Sequence, residues 1–389
     1  MKVYFGVCGV GLGHVGRCVP VALKLLDMGN EILFSTYSDA CAFVQREGLP
    51  LRKAPPISFA VKPDGKVDFR QTTVYPGIFS TYIFLNQLRA ELKFMKAFKP
   101  DFVISDSRIS SILAAKLLKV PVISLLNLYR VKIPREKRFL RLARIADGGI
   151  LTIIGLVWNF GEEVLIPDFP APYTLSVNNL GIPPSRKHKV RLIGPIIPIK
   201  PTSLPSKKLI RKKLGIEDDE LLVFISISGP SKEKQYLISI MKDVVKKFPS
   251  NYHIIMSLAQ PNSLEGPINR GNITIYNWLP NRFEILKACD IVVSRAGLGT
   301  ISQAVVYGKP LILIPTPSHT EQISNANVTA MLKLGKIIDQ NMLCYSELIN
   351  AIEDLCNGVY MKTVQDVQNK VSKYDAVKSI IEIVYNHKA

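Results

Sequence analysis

The chain has 389 residues, 47% of them hydrophobic, and a formal net charge of +19. This length predicts two domains of ordinary size with substantial apolar cores. The six cysteines show no Cys-x-x-Cys spacing, which argues against a zinc site and gives no disulfide framework, so a reduced, cytoplasmic compartment is expected.

The positive charge is concentrated in the first 200 residues, which hold 28 lysines and arginines against 14 aspartates and glutamates. Such a basic surface suits nucleic acid, an anionic membrane or a phosphorylated substrate. No zinc finger, aromatic RNA-binding motif or helix-turn-helix pattern accompanies the charge, so nucleic acid is not an expected partner.

Residues 2–9 predict a first β-strand rather than a secretory signal. The loop 9–14, GVGLGH, follows, and then a helix and a second strand over 31–35. A glycine-rich turn in a βαβ unit is also typical of dinucleotide-binding folds. The second strand, however, leads into Ser-Thr-Tyr at 35–37 and offers no acidic residue for a ribose, so a Rossmann cofactor is not expected.

His14 stands in the loop after the first predicted strand, where it is not easily buried. Imidazole titrates near neutral pH, which suits it to accept a proton from a sugar hydroxyl. A lone histidine is more often structural, and position alone leaves both interpretations open.

The segment 100–106 predicts a strand that ends in a carboxylate, Asp106. In a parallel sheet, Asp106 would lie on the same edge as His14 and could orient the imidazole or bind an acceptor hydroxyl. The alternative is a helix N-cap before Ile109, and local sequence favours that alternative because aspartate is a preferred cap.

The most unusual composition lies at 130–158. Seven basic residues stand here against one acidic residue between 130 and 144: Arg130, Lys132, Arg135, Lys137, Arg138, Arg141 and Arg144. The apolar run 149–158 follows and ends in Trp158, but it is shorter than the ~20 residues that span a bilayer. A basic helix with an apolar run fits contact with an anionic membrane surface. The alternative is a solvated helix followed by a buried element.

Prolines crowd the region before residue 206, which is typical of a linker between domains. We therefore predict a first domain at 1–195, a linker at 196–205 and a second domain at 206–370. The last segment, 371–389, predicts a helix.

The stretch 294–322, SRAGLGTISQAVVYGKPLILIPTPSHTEQ, predicts a tight turn, a helix, a strand and a polar loop. Backbone N–H groups at such a helix N-terminus favour an anion. The residues expected to admit or hold a phosphate are Ser294, Arg295, Gly297, Gly299 and Thr300. The polar loop supplies side chains suited to sugar hydroxyls, namely His319, Glu321 and Gln322. An ordinary βαβ unit with turn glycines is the alternative.

This stretch resembles the donor-sugar signature of GT-B nucleotide-sugar glycosyltransferases, in particular the bacterial peptidoglycan N-acetylglucosaminyltransferase (MurG) family and its archaeal and eukaryotic relatives. The shared order is Ser-Arg-Ala-Gly at 294–297, Gly-Lys-Pro at 308–310, and Gln322 followed by Asn-Ala at 325–326. One departure is Gln303, which stands where the family usually has a glutamate for the ribose hydroxyls and offers only a neutral acceptor.

The resemblance implies roles for further residues. Ser228 and Gly229 would approach the donor diphosphate, and the segment at Trp278 would pass backbone groups to the uracil. The loop with Gly11 and Gly13 would face the acceptor, and His14 would be the general base.

By the same resemblance, the expected fold is α/β, GT-B, with two Rossmann-like domains facing across a cleft and the last helix crossing back to the first domain. The expected activity is inverting transfer from a UDP-sugar, above all UDP-N-acetylglucosamine, to a saccharide on a polyprenyl or dolichyl diphosphate. The enzyme would act as a peripheral protein at the cytoplasmic membrane face. No Asp-x-Asp motif occurs, so neither metal nor cofactor is expected.

An isoleucine- and lysine-rich composition adds the expectation of an archaeal source and a role in N-glycan precursor assembly. Two alternatives remain. A UDP-N-acetylglucosamine 2-epimerase shares the fold but would need several acidic catalytic residues and no lipid patch. A donor site weakened at Gln303 would instead leave a lipid- or partner-binding subunit.

Overall fold

The structure, a computed structural model, describes residues 1–57, 78–129, 155 and 157–387. Two α/β units are each built on a seven-stranded sheet. Most of the segment expected to contact a membrane, 130–158, lies outside the described residues.

The first sheet is parallel throughout. Its strands are β1 (Lys2–Val7), β2 (Glu31–Thr36), β3 (Leu51–Lys53), β4 (Phe102–Asp106), β5 (Val122–Leu125), β6 (Val164–Ile166) and β7 (Val190–Leu192), in the spatial order β3-β2-β1-β4-β5-β6-β7. Its helices are α1 (Gly13–Asp27), α2 (Asp39–Arg46), α3 (Ile78–Phe98), α4 (Ile109–Leu117) and the short α5 (Val177–Leu180). The central strands are almost wholly buried because helices cover both faces of a parallel sheet.

The register of β1 against β4 determines which loops lie side by side at the edge of the sheet. Val7, the last residue of β1, lies opposite Asp106, the last residue of β4. Asp106 in turn lies opposite Leu125, the last residue of β5. The loops after these three strands therefore leave the sheet side by side, at the edge where ligands bind in open α/β sheets.

The second sheet is parallel except for its edge strand. Its strands are β8 (Leu221–Ser226), β9 (Tyr252–Ser257), β10 (Ile268–Arg270), β11 (Ile273–Tyr276), β12 (Ile291–Ser294), β13 (Leu311–Leu313) and β14 (Gly335–Ile337), in the order β10-β11-β9-β8-β12-β13-β14, with β10 antiparallel to β11. Its helices are α6 (Lys207–Leu214), α7 (Ser231–Val245), α8 (Arg282–Ala288), α9 (Leu298–Val306), α10 (Thr320–Met331), α11 (Tyr345–Cys356) and α12 (Val359–Val371). Ser294 of β12 and Ser226 of β8 lie opposite each other, so their loops also leave together.

The last helix, α13 (Ala376–Asn386), packs on the first domain. Ile380 and Val384 are buried in the core that β1, β2 and α1 form. The side-chain amide of Asn30 donates a hydrogen bond to the hydroxyl of Tyr385 over 2.9 Å. The segment after β7 passes close to the segment before α13 at Gly194. Gly194 has a φ of +81°, and a Cβ added to it would stand 2.5 Å from Cβ of Tyr374. Only glycine fits at this position.

Trp158 belongs to the interior of the first domain. Only 6% of Trp158 is exposed, its carbonyl accepts a hydrogen bond from the Ser124 hydroxyl, and its ring lies 6.3 Å from that of Tyr129. The expectation that Trp158 faces a membrane is therefore wrong, because composition does not distinguish an interfacial tryptophan from a packed one. Among the helices of the described ranges, none has the length and apolar character needed to cross a bilayer.

Candidate active site

His14 lies in the first turn of α1, directly beyond β1. Gly11, with φ of +67°, makes the turn that leads to it. Nδ1 of His14 lies 2.7 Å from Oδ1 of Asp106, and 24% of the imidazole side chain remains exposed. This geometry assigns the Nδ1 proton to the bond with the carboxylate and leaves Nε2 as a proton acceptor.

Asp106 is completely buried at the end of β4. Its carboxylate accepts hydrogen bonds from Nε of Arg17 at 2.5 Å and from Nη2 of Arg17 at 2.6 Å, besides the bond from His14. The N-cap residue of α4 is Arg108, and no side chain caps that helix. The favoured interpretation of Asp106 as a helix cap is therefore wrong, because Arg17 and His14 of α1 engage its carboxylate oxygens.

Three residues of this cluster were missed by the sequence reasoning. Arg17 also donates from Nη1 to the side-chain oxygen of Asn127, and the thiol of Cys18 donates to Oδ2 of Asp106 at 3.4 Å. The i, i+3 spacing of His14 and Arg17 places both on one helix face, and that spacing is the signal that could have found Arg17. Nothing in the local sequence marks Asn127, which follows β5.

Charged neighbours decide the protonation of the pair. Burial by itself raises the pKa of Asp106, but Arg17 and His14 outweigh it and lower that pKa to about 2. Burial lowers the pKa of His14, whereas Cys8 and Asp106 raise it, and the net result is a raised pKa. Arg17 opposes that rise because a second cation disfavours the imidazolium.

The predicted anion-binding turn opens α9 at the end of β12, with Gly297 as N-cap and Thr300 half-buried in the first turn. Apart from the neighbouring residues of the turn and the backbone of α9, no atom lies within 4 Å of where a Cβ on Gly297 or Gly299 would stand. These glycines therefore border open space at a helix end whose first N–H groups lack intrahelical acceptors. The Ser294 hydroxyl instead donates to the carbonyl oxygen of Arg295 and stays inside the turn.

Arg295 is buried behind this turn rather than displayed on it. Nη1 donates to the carbonyl oxygen of Ile314 at 3.0 Å, while Nη2 has no hydrogen-bond partner in the described part of the chain. Burial lowers the pKa of Arg295 to about 10, and burial raises the pKa of Glu233 to about 7. Arg295 thus remains a cation at neutral pH with one guanidinium nitrogen uncommitted.

The polar loop before α10 is held by its own side chains. His319 caps the helix by accepting from the backbone N–H of Gln322, and burial lowers the pKa of His319. The side-chain oxygen of Gln322 accepts from the backbone N–H of Thr316 at 2.8 Å. Glu321 reaches the other domain, since its Oε1 accepts from the side-chain amide of Asn127 at 3.5 Å.

Ser228 and Gly229 follow β8 and are partly exposed. An added Cβ on Gly11 would stand 3.4 Å from the backbone nitrogen of Pro230, so the loops of the two domains touch here, whereas Gly13 has no neighbour within 4 Å of such a Cβ. A cavity of about 350 Å³ opens beside this contact. Its lining includes Leu12 and Asp39 from the first domain and Gly229, Ser231 and Lys234 from the second.

Trp278 packs at the boundary between the domains. Its ring lies 5.5 Å from that of Phe43, and the guanidinium of Arg46 lies 5.2 Å from its centroid. The side chain therefore ties α2 to the second domain, whereas the sequence had suggested a role for the backbone of this segment. Gln303 is half-buried on α9, one turn beyond Thr300.

The structure brings some of the predicted residues to the boundary between the two domains. His14 and Asp106 form the first-domain side, and Gly297 and Gly299 border the open turn of the second domain. Asn127 and Glu321 bridge the two sides. In the described ranges, no three His, Cys, Asp or Glu side chains are grouped to hold a metal ion.

Two family models match this chain: "Glycosyl transferase family 1" over residues 1–146 and "Glycosyltransferase family 28 C-terminal domain" over residues 224–380. A glycosyltransferase of Methanosarcina acetivorans is 27% identical over 99% of this chain and 98% of its own length. The UDP-N-acetylglucosamine--N-acetylmuramyl-(pentapeptide) pyrophosphoryl-undecaprenol N-acetylglucosamine transferase of Acetivibrio thermocellus is 26% identical over 91% of this chain and 90% of its own length.

Among solved structures, glycosyltransferase SsfS6 of Streptomyces sp. SF2575, complexed with thymidine diphosphate, superposes with a TM-score of 0.61 at 15% identity, covering 98% of this chain and 99% of that one. Fold, family models and relatives agree with the resemblance in the stretch 294–322. The chain therefore has the GT-B fold, its two parts match glycosyltransferase family models, and it is similar over most of its length to a MurG-type transferase.

Proposed function

We propose that this glycosyltransferase is an inverting enzyme that moves N-acetylglucosamine from UDP-N-acetylglucosamine to a saccharide on a polyprenyl or dolichyl diphosphate. The observation that carries the proposal is the His14–Asp106 pair, with Nδ1 held at 2.7 Å from the carboxylate and the imidazole still partly exposed to the cleft. The name of the Acetivibrio thermocellus relative supports this donor sugar and a lipid diphosphate acceptor.

The proposed reaction is a direct displacement. An acceptor hydroxyl attacks the anomeric carbon from the face opposite the diphosphate, and Nε2 of His14 takes its proton. One carbon–oxygen bond forms as the bond to the diphosphate breaks, so the configuration inverts. Asp106 keeps the imidazole in the required tautomer and stabilises the imidazolium that results, as a carboxylate does beside a catalytic histidine.

The leaving UDP carries the charge that develops on the other side of the cleft. The open turn at Gly297 and Gly299 offers the N-terminus of α9 to the diphosphate. Arg295 adds a buried positive charge with an uncommitted nitrogen behind that turn. The proposed chemistry uses no metal, and Arg295 with the N-terminus of α9 would offset part of the charge of the diphosphate.

A peripheral position at the cytoplasmic membrane face and a part in N-glycan precursor assembly complete the proposal. The basic segment 130–144 supports the membrane position. The similarity to a Methanosarcina acetivorans glycosyltransferase over 99% of this chain supports an archaeal setting for the role in N-glycan precursor assembly. Flotation with vesicles tests the membrane part. Binding to phosphatidylglycerol vesicles but not to phosphatidylcholine vesicles is expected, and equal absence from both rejects it.

UDP release from purified protein tests the activity, with a panel of UDP-sugars and with or without a lipid-diphosphate-linked N-acetylglucosamine acceptor. Release should depend on UDP-N-acetylglucosamine and acceptor, and His14→Ala should lower kcat about 10²–10⁴-fold, as expected for loss of a general base. Proton NMR of the product should show a β-linkage formed from the α-linked donor. Retention of configuration, or full activity in His14→Ala, refutes the mechanism.

The same assay separates the two alternatives. Conversion of UDP-N-acetylglucosamine without an acceptor, with UDP still attached to the product sugar, would indicate an epimerase. Failure to bind any nucleotide sugar in calorimetry would indicate a subunit that has lost its donor site. The neutral Gln303 in place of a ribose-binding glutamate would then mark that loss.

A further inference from the structure

Arg17 makes polar contacts with three residues of the cluster on the first-domain side, namely Asp106, His14 and Asn127. Only 9% of its side chain is exposed. Nε and Nη2 bind the two oxygens of Asp106, and Nη2 also approaches Nδ1 of His14 to 3.1 Å. A guanidinium bound to both carboxylate oxygens fixes the plane of that carboxylate as well as its charge.

The third nitrogen of Arg17 extends this arrangement towards the second domain. Nη1 donates to the side-chain oxygen of Asn127, and the amide nitrogen of Asn127 faces Oε1 of Glu321 at 3.5 Å. Both ends of one amide are therefore oriented, one by the first domain and the other by the loop that opens α10. Glu321 follows His319 in the loop expected to meet the donor sugar.

We propose that Arg17 is a positioning residue, which holds the Asp106 carboxylate against Nδ1 of His14 and, through Asn127, ties the base to the donor side of the cleft. This inference rests on the proposed function in so far as His14 is the base. Nothing in the mechanism above requires Arg17 to touch the substrate, so its effect is exerted through Asp106.

The charges around His14 explain why an arginine is needed. His14 is faced by Cys8 after β1, by Asp106 at the end of β4 and by Arg17 on its own helix, and Glu321 of α10 lies beyond Asn127. Without Arg17, the buried carboxylate of Asp106 would raise the pKa of His14 further, so a smaller share of the imidazole would be neutral and able to act as a base at neutral pH. Arg17 shares the carboxylate charge, so the imidazole can lose its proton while the hydrogen bond is kept.

Histidine NMR tests this without any substrate. The chain has five histidines, and the His14 signal is assigned as the one missing in His14→Gln. In Arg17→Met the pKa of His14 should rise, and in Arg17→Lys, which keeps the charge, it should stay close to the wild-type value. An unchanged pKa in Arg17→Met overturns the inference, whether or not the protein transfers a sugar.

Arg211→Met is the matched control. Arg211 is equally buried and its Nη1 binds the carboxylate of Asp290 at 3.0 Å, but it belongs to the second domain. We expect this variant to unfold at a lower temperature and to leave the pKa of His14 unchanged. A similar pKa change in both methionine variants would mean that general loosening, and not the local charge, moves the pKa, and would overturn the inference.

Kinetic measurements test whether Arg17 holds the Asp106 carboxylate in position and connects it, through Asn127, to the second domain. In Arg17→Lys the forked contact is lost, so kcat measured above the pKa of His14 should fall at least about tenfold, with KM for the donor changed less than about twofold. Asn127→Ala should also lower kcat while the pKa of His14 stays the same. Full activity in Arg17→Lys refutes the positioning role, and full activity in Asn127→Ala refutes the link across the cleft.

Discussion

Replacing Asp106 by asparagine removes the negative charge that Arg17 and His14 contact. The resulting loss in the free energy of unfolding can be worked out from the pKa of the Asp106 carboxyl. That pKa is lowered from 3.8 to about 2 in a completely buried side chain. Since one pKa unit corresponds to about 1.4 kcal/mol, ionised Asp106 stabilises the folded protein by about 2–3 kcal/mol at pH 7. Asp106→Asn should lower the free energy of unfolding by at least that amount, because Arg17 is left buried without its carboxylate.

The dependence on pH has a definite sign. A lowered folded-state pKa gives stability that is present above pH 3.8 and is lost as the pH falls towards 2. The raised pKa of His14 adds stability that is present below pH 6.5 and is lost as the pH rises through the folded-state value. The difference between wild type and Asp106→Asn should therefore be largest near pH 5, and it should fall both as the pH rises through the folded-state pKa of His14 and as the pH falls towards 2.

Urea unfolding followed by tryptophan fluorescence measures this difference. The protein has two tryptophans, and a Trp278→Phe background leaves Trp158, which is buried in the first domain beside the site. The two chains to compare are thus Trp278→Phe with and without Asp106→Asn. A difference below about 0.5 kcal/mol at pH 5, or one that does not change with pH, would refute an ionised Asp106 shared by two cations.

Three further substitutions test other parts of the structure. Gln303→Glu should lower KM for the UDP-sugar about fivefold, because a charged acceptor adds about 1 kcal/mol to a diol hydrogen bond; unchanged kinetics would separate Gln303 from the ribose. Gly297→Val should weaken donor binding in calorimetry more than about tenfold, with a melting temperature lowered by only a few degrees, since apart from its chain neighbours no atom lies within 4 Å of the added Cβ and the loss is that of a helix N-cap glycine. Gly194→Ala should lower the melting temperature by several degrees, given its φ of +81° and the 2.5 Å contact with Tyr374, and an unchanged temperature would contradict that geometry.

The sequence allowed the alternation of strands and helices to be predicted because buried parallel strands are nearly continuous apolar runs, as at 291–293. It also placed Asp106 and His14 on one sheet edge, which follows from strand direction alone. It missed the three-residue strands β7, β10 and β14, which are too short to show a pattern.

Contacts between distant segments account for the remaining differences. Local rules favoured Asp106 as a helix cap, and its actual partner Arg17 is 89 positions away. Asn127 has no recognisable signal because its role depends on Arg17, 110 positions away, and on Glu321, 194 positions away. Trp158 was expected on a surface because its neighbours in sequence suggested one, while its neighbours in space are Ser124 and Tyr129.

Polar contacts join the domains beside an apolar one, in which Phe169 and Leu175 of the first domain are buried in the core of the second. Asp39 of α2 accepts from the hydroxyl of Ser231 at 2.8 Å, Arg46 stacks on Trp278, and Asn127 meets Glu321. Interfaces of this kind allow domains to move relative to each other. The proposed base belongs to one domain and the proposed anion-binding turn to the other, so the alignment of the two depends on these contacts. Under the proposed mechanism, exposed polar contacts of this kind suit an enzyme that opens to exchange UDP and then excludes water before each transfer.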